Sequence, residues 1–299
     1  MQNRLTPSTA ALLVIAPLLW AGNAVVGRVA AEMVPPVLLN FLRWACAFLI
    51  LLPLAGWVLR PGSGLWSHWR RYALLGLLGV GCYNALQYLA LQTSTALNVT
   101  LVASSTPVWM LMIGRLWFGQ RITAMQMVGA ALSVAGVLVV LSRGDPHLLL
   151  SVRLVPGDLY VLVAAFAWAL YSWLITRPVD PPRIRADWAA FLMAQVVMGL
   201  AWSGLFALGE AAVSSAAIHW GWPLAAVLVY VAVGPAVVAY RCWGLGVAAV
   251  GPAVAGFFGN LTPLFAALMS AAFLGEPPQI YHASAFALIV GGIVVSSRR

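Results

Sequence analysis

Lysine is absent from this sequence, and acidic residues number only seven against sixteen arginines. A water-soluble fold of 299 residues needs charge over much of its surface, so 8% charged residues exclude an ordinary soluble domain. Cysteine is scarce as well. Cys46, Cys82 and Cys242 fall in three different apolar runs without a CxxC spacing, which excludes a disulfide scaffold or a thiolate metal site and predicts buried free thiols. The four histidines, His68, His147, His219 and His282, are scattered over separate connections. A membrane enzyme gathers acids, bases or a nucleophile at one face, so no catalysis, cofactor or metal is expected.

What the chain has in abundance is apolar sequence: 63% of residues are hydrophobic and the mean hydropathy is +0.95. About 20 apolar residues at 1.5 Å each cross a hydrocarbon core of about 30 Å. Runs of that kind lie at 9–29, 36–58, 72–93, 97–117, 124–141, 157–177, 188–208, 224–244, 251–273 and 280–297. The fold class predicted is an all-α integral membrane protein with ten transmembrane helices. The first run lacks a convincing small-residue cleavage site and reads as a retained helix. The sequons at Asn98 and Asn260 sit at or inside spans and read as coincidence.

The net charge of +9 and the pI near 10.2 raise the question of a nucleic-acid partner. Their placement answers it. Arg4, Arg60, Arg70, Arg71, Arg115, Arg121, Arg177, Arg183, Arg185, Arg298 and Arg299 occupy the termini or every second connection, while the others hold mainly Glu32, Arg143, Arg153, Glu210 and Glu276. This is the positive-inside bias, with both termini cytoplasmic and no nucleic acid implied.

Residues 105–143 slide by 156 positions onto 261–299, aligning Thr106 with Thr262, Pro107 with Pro263, Gly119 with Gly275 and Gly136 with Gly292. Trp20-Ala21 in the first run is echoed by Trp168-Ala169 in the sixth. The repeat therefore divides the chain into 1–150 and 151–299, joined by the polar stretch 143–156. Five spans per half is an odd number, so the second half enters from the opposite side: two inverted five-helix repeats, as in many secondary transporters.

The segments WAGN, FLRWACAFLILLPL, ASSTPVWMLMIGRLWFGQ, AGFFGNLTPLFAALMSAAFLGE and ALIVGGIVV form a pattern over nearly the whole chain. It resembles the drug/metabolite transporter (DMT) superfamily, in its ten-helix EamA-type branch, and within it the bacterial aromatic amino acid exporters of the YddG type. The resemblance implies an inverted-repeat transporter that exports small metabolites across the bacterial inner membrane. Gln120 departs from the Gly-Glu ending that the second copy keeps at Gly275-Glu276.

Polar and aromatic groups at bilayer depth are costly unless they face protein or a watery cavity. Trp20 and Asn23 lie midway along the first span, Trp168, Tyr171 and Ser172 along the sixth, and Tyr240 and Trp243 in the matching zone of the eighth. Tyr83, Asn84, Gln87 and Tyr88 share helical neighbour spacings in the third. The substrate-binding set expected is Trp20, Asn23, Tyr83, Asn84, Gln87, Trp168, Tyr171 and Tyr240; hydrogen bonding between helices is the alternative role for its Tyr, Asn and Gln members. Aromatic walls with amides and hydroxyls suit amphipathic zwitterions and not phosphorylated sugars, which call for paired basic residues.

Pro107 and Pro263 are read as hinges, with a passive kink tolerated by neighbouring helices as the alternative, and Arg43 and Glu276 as gate residues. Arg43 is placed to meet Glu32, helix-end carbonyls or substrate, and Glu276 to cap a connection or pair with Arg43. Arg241 is ambiguous between the eighth span and its cytoplasmic end. Gly129-x-x-x-Ser133 and Ala287-x-x-x-Gly291 are expected packing seams, and Trp57, Trp66, Trp69, Trp117, Trp188, Trp220 and Trp222 interface anchors. The function expected is export of aromatic or other neutral amino acids by alternating access, by a monomer in contact with membrane lipid. Asp158, Glu210 and Glu276 lie near span ends, which favours a facilitator. Proton-coupled export of other small amphipathic metabolites or drugs stays open, as does a channel.

Overall fold

A computed structural model describes residues 5–298 apart from 31, 91, 151, 215–216 and 275–278. Among the described residues there is no β-strand, and ten helices are long and apolar enough to cross a membrane. They are α1 (Pro7–Gly27), α2 (Pro36–Leu59), α3 (Trp69–Ala90), α4 (Asn98–Trp117), α5 (Ala124–Leu141), α6 (Pro156–Leu174), α7 (Trp188–Val213), α8 (Trp222–Val250), α9 (Pro252–Ala272) and α10 (Ile280–Ser297). The protein is an all-α, ten-helix membrane protein.

α8 runs to Val250, six residues beyond the expected end, and Pro252 already opens α9. The single residue between them, Gly251, has φ 85°, which reverses the chain at no steric cost to glycine, and Pro252 restarts the helix where its missing N–H is harmless. Arg241 is thus well inside α8. It is exposed on the helix surface and its guanidinium lies 4.5 Å from the Trp188 ring centroid.

α4 and α9 are each broken. In α4 the helical segments Ala96–Ala103 and Thr106–Trp117 are separated by Ser104 and Ser105, and in α9 Pro252–Gly259 and Leu261–Leu274 by Asn260. Pro107 and Pro263 do not interrupt a continuous helix. Each falls in the first turn of a second segment, where no intrahelical bond is lost. A break inside hydrocarbon must satisfy its own backbone. In α4 three consecutive hydroxyls do so: Ser104 Oγ donates to Leu101 O at 2.6 Å, Ser105 Oγ to Val102 O at 2.6 Å and Thr106 Oγ1 to Ala103 O at 2.7 Å.

α3 and α8 each contain a π-helical stretch, Gly76–Cys82 and Ala232–Val238, which stand 156 residues apart like the sequence repeat itself. α5 and α10 have the same separation and pack along each other. A Cβ on Gly129 would lie 2.7 Å from Gly292 O, and one on Gly136 would lie 2.9 Å from Ala285 O. Shifting Gly129 to Ala285 and Gly136 to Gly292 exchanges these two contacts. The seam on α10 therefore runs through Ala285, Ile289, Gly292 and Ser296, and the expected Ala287/Gly291 face is corrected: Ala287 is exposed and Gly291 has open space beside it. Small residues recur on both faces of an apolar helix, and only the partner distinguishes them.

The tryptophans expected at the interfaces divide in two. Trp66, Trp69, Trp117, Trp220 and Trp222 are exposed, whereas Trp57 and Trp188 are half-buried beneath the guanidinium groups of Arg183 and Arg241. At the arginine-rich end, Asp180 is fully buried and bridges Arg71, whose Nε and Nη2 reach its two oxygens at 2.6 and 2.9 Å, and Arg185 Nη1 at 3.1 Å. The remaining donors of both arginines cap carbonyls at the end of α6, from Leu174 to Arg177. The start of α3 is thereby fastened to the α6–α7 connection.

Candidate functional site

α1 presents Trp20 and Asn23 one turn apart, α6 presents Trp168 and Tyr171, α8 presents Tyr240 and Trp243, and the stretch of α3 after its π turn presents Tyr83. The structure gathers their rings around Trp168. Its centroid lies 5.2 Å from Trp20, 4.9 Å from Tyr83, 5.1 Å from Tyr171, 5.4 Å from Tyr240 and 5.5 Å from Trp243. Trp20 and Tyr240 meet Trp168 edge-on, and Tyr171 stacks on it, the arrangements that aromatic quadrupoles favour.

Three polar handles in this cluster find a partner on another helix. Trp20 Nε1 donates to Pro235 O at 3.2 Å, Tyr240 Oη donates to Gly79 O, and Trp243 Nε1 donates to Ser172 Oγ at 3.1 Å. Gly79 and Pro235 are equivalent positions in the two π stretches. π turns displace backbone groups from the regular ladder and occur chiefly where a site is built. Here the displaced segments each receive an aromatic donor from the opposite half of the chain.

Asn23 closes one edge of the cluster. Its Nδ2 donates to Tyr88 Oη at 3.4 Å and its Oδ1 accepts from Arg43 Nη1 at 3.5 Å. Asn84 is buried and Gln87 half-buried on α3 beside Tyr83. Arg43 is 1% exposed and forms no ion pair with Glu32, which is exposed at the helix end. Glu276, expected as a gate and a partner of Arg43, lies outside the described residues.

Two residues of this region carried no role in the sequence reading: Asn40 and Trp44. Asn40 stands at helical neighbour spacing to both Arg43 and Trp44 on α2. Trp44 is fully buried, 5.0 Å from Tyr240 edge-on, and Asn40 Nδ2 donates to Val80 O at 3.1 Å in the π stretch of α3. The signal was the run Asn40-x-x-Arg43-Trp44, an amide and an indole placed within a turn of a mid-span arginine.

Two cavities are found away from the rings. One, of about 1070 Å³, opens between α2, α3 and α7 and is lined by Val34, Val37, Cys82, Ala85, Phe206 and Glu210 among others. The second, about 610 Å³, lies at the arginine-rich end and includes Gln120, Arg121, Gln126, Trp173 and Arg298. None of the eight expected substrate-binding residues lines either one. In this conformation the aromatic cluster is packed on itself, with a space toward each membrane face.

The polar groups near helix ends have structural partners. Glu210 on α7 accepts from Val37 N and Leu38 N at 3.1 and 2.8 Å, capping the start of α2. Asp158 accepts from Ser94 Oγ, from Asn98 Nδ2 at 3.0 Å and from Val155 N at 2.8 Å, tying the α3–α4 connection to α6. The two sequon asparagines are thus internal: Asn98 in this network, and Asn260 donating to Ser133 Oγ at 2.9 Å.

A ten-helix membrane protein agrees with what comparison with known proteins finds. A model of the EamA-like transporter family matches residues 7–142 and again residues 155–298. The chain belongs to the EamA-like transporter family. An uncharacterized transporter of Archaeoglobus fulgidus is 24% identical over 96% of this chain and 96% of that protein. The aromatic amino acid exporter YddG of Ancylobacter novellus is 25% identical over 80% of this chain and 78% of its own length. The uncharacterized inner membrane transporter YedA of Escherichia coli is 25% identical over 93% of this chain and 87% of its own. A solved crystal structure superposes with a TM-score of 0.75 over 97% of this chain and 96% of that one, at 23% identity, which establishes a shared fold.

Proposed function

We propose that this protein is a secondary transporter of the bacterial inner membrane that exports neutral, chiefly aromatic, amino acids by alternating access. The observation that carries the reading is the ring cluster on Trp168, built at once from α1, α3, α6 and α8 and therefore from both halves of the chain. A centre contributed by both halves is where a rocking motion exposes one site alternately to the two faces. Aromatic faces that now contact each other receive an aromatic side chain when they part. The name of the exporter from Ancylobacter novellus supports the substrate class.

In this reading the halves 1–150 and 151–299 are an inverted pair, both termini face the cytoplasm, and the unit is a monomer surrounded by lipid. Transport is facilitated diffusion down a metabolite gradient. Proton coupling calls for a titratable group on the path. Asp158 is engaged as a helix-end acceptor, Glu210, although it borders the larger cavity, is held capping the start of α2, and His282 caps the start of α10 by accepting from Gln279 N at 3.0 Å.

The test is uptake of labelled neutral amino acids into liposomes holding the purified protein, with and without an imposed pH gradient. Concentration-driven uptake of phenylalanine or tryptophan is expected without a gradient. Failure to carry any amino acid refutes the substrate class, and strict dependence on the gradient refutes the facilitator. Trp20→Ala and Trp168→Ala are each expected to lower the rate at least ~10-fold, about 1.4 kcal/mol, with expression largely unchanged.

A further inference from the structure

Arg43 stands seven residues into α2, and its surroundings leave it half satisfied. Its Nη1 reaches Asn23 Oδ1 at 3.5 Å, but its Nε and Nη2 have no hydrogen-bond partner among the described residues. One turn and one residue away, respectively, Asn40 Oδ1 and Trp44 Nε1 are also buried without partners. A buried cation with open donors is costly, and an arginine inside a membrane span marks a functional position by default.

The same chain shows what this edge of a guanidinium holds when it is filled. Arg71 uses Nε and Nη2 to grip the two oxygens of Asp180 at 2.6 and 2.9 Å. That side-on fork matches a carboxylate and is the strongest pairing available to arginine. Arg43 presents the same two nitrogens, unoccupied, beside the ring of Trp44 at 5.1 Å and next to the aromatic cluster through Asn23 and Tyr240. The larger cavity stops short of Arg43: Val37, in its lining, is six residues away on α2, about 9 Å of helix rise.

We infer that Arg43, with the Trp44 indole N–H beside it, is the receptor for the α-carboxylate of a zwitterionic amino acid whose side chain enters the Trp20–Trp168 cluster. Asn40 Oδ1, the open acceptor one turn away, receives the ammonium group. This rests on the proposed transport of amino acids and adds how the site tells an amino acid from an amine of the same shape.

The experiment measures liposome uptake of L-phenylalanine against L-phenylalaninamide, which keeps the ring and amine and lacks the carboxylate. Wild-type protein is expected to prefer the acid. In Arg43→Gln the ratio of acid to amide rates is expected to fall at least ~10-fold, with Arg43→Lys between the two and Trp44→Phe raising KM for phenylalanine with little change in kcat. Elution profile and melting temperature of each variant identify loss of fold. An unchanged ratio in Arg43→Gln, or acid and amide falling together in every variant, overturns the assignment. If wild-type protein carries phenylalanine without preferring it to the amide, amino acid transport stands and the Arg43 role fails. If it carries neither phenylalanine nor any other amino acid, the proposed function fails first.

Discussion

Gly76–Cys82 in α3 and Ala232–Val238 in α8 adopt the same π geometry at equivalent positions, yet they are held in different ways. The stretch in α3 carries Gly76, Gly79 and Gly81 and is pressed between neighbours. A Cβ on Gly76 would lie 2.6 Å from Gly199 N, and one on Gly79 would lie 2.8 Å from the Tyr171 ring. The stretch in α8 has one glycine and a proline, and Val233 and Val238 are exposed on its outer surface. Backbone shape was kept between the halves while packing diverged. The breaks differ likewise: α4 satisfies its break with its own hydroxyls, and α9 sends Asn260 across to Ser133 on α5. The α3 stretch is thus packed backbone to backbone through its glycines, whereas the α8 stretch buries Ala232, Pro235, Ala236 and Val237 and turns Val233 and Val238 outward.

The contrast breaks most sharply at Gly76. Gly76→Ala forces two backbones apart and is expected to cost about 3 kcal/mol, read as a large fall in melting temperature. Its counterpart change, Ala232→Gly, removes a single methyl at a fully buried position without forcing backbones apart and is expected to cost about 0.5–1 kcal/mol. Equal effects at the two sites would show that the packing difference is immaterial.

Next come the donors to the two π carbonyls. Tyr240→Phe leaves Gly79 O without its partner in the α3 segment, for about 1–3 kcal/mol. Trp20→Phe does the same to Pro235 O, and is expected to destabilise less because that bond, at 3.2 Å, is the longer of the two. Thermal unfolding of the two purified variants decides the order.

Smaller effects are expected at the breaks. Asn260→Ala removes the tie to α5 for about 0.6 kcal/mol, the usual worth of a hydrogen bond between membrane helices. Ser104→Ala is milder, since Ser105 and Thr106 still cover adjacent carbonyls, and differential scanning fluorimetry of both variants tests the ranking. The smallest change is Gly291→Ala, which meets open space and is expected to leave the melting temperature unchanged, whereas Gly292→Ala next to it drives a methyl within 2.6 Å of Gly129 O and lowers it.

Much of this was legible before any coordinates. Run length marked ten spans, since hydrocarbon admits only long apolar helices here, and the shift of 156 positions marked corresponding segments. Mid-span Trp20 and Trp168 were visible as residues too deep to be anchors, Tyr240 as a candidate for either the cavity or a bond between helices, and the structure places all three in one cluster. The π stretches were not legible, because a π turn differs from an α turn by one residue of ladder and leaves no compositional mark. The partners of Arg43 were not legible either. Asn40 and Trp44 are close in sequence, but whether their polar atoms are satisfied depends on α1, α3 and α8.

Sequence alone therefore determined the solvent, the helix count and the inventory of polar groups that had to be hidden from lipid, because each of these follows from transfer of single side chains and local backbone. Tertiary structure decided which faces meet. It put Gly292 and not Gly291 in the seam, filled the fork of Arg71 with Asp180 and left that of Arg43 open. Apolar helices offer several nearly equivalent faces to one another, and only the close approach of whole helices distinguishes them.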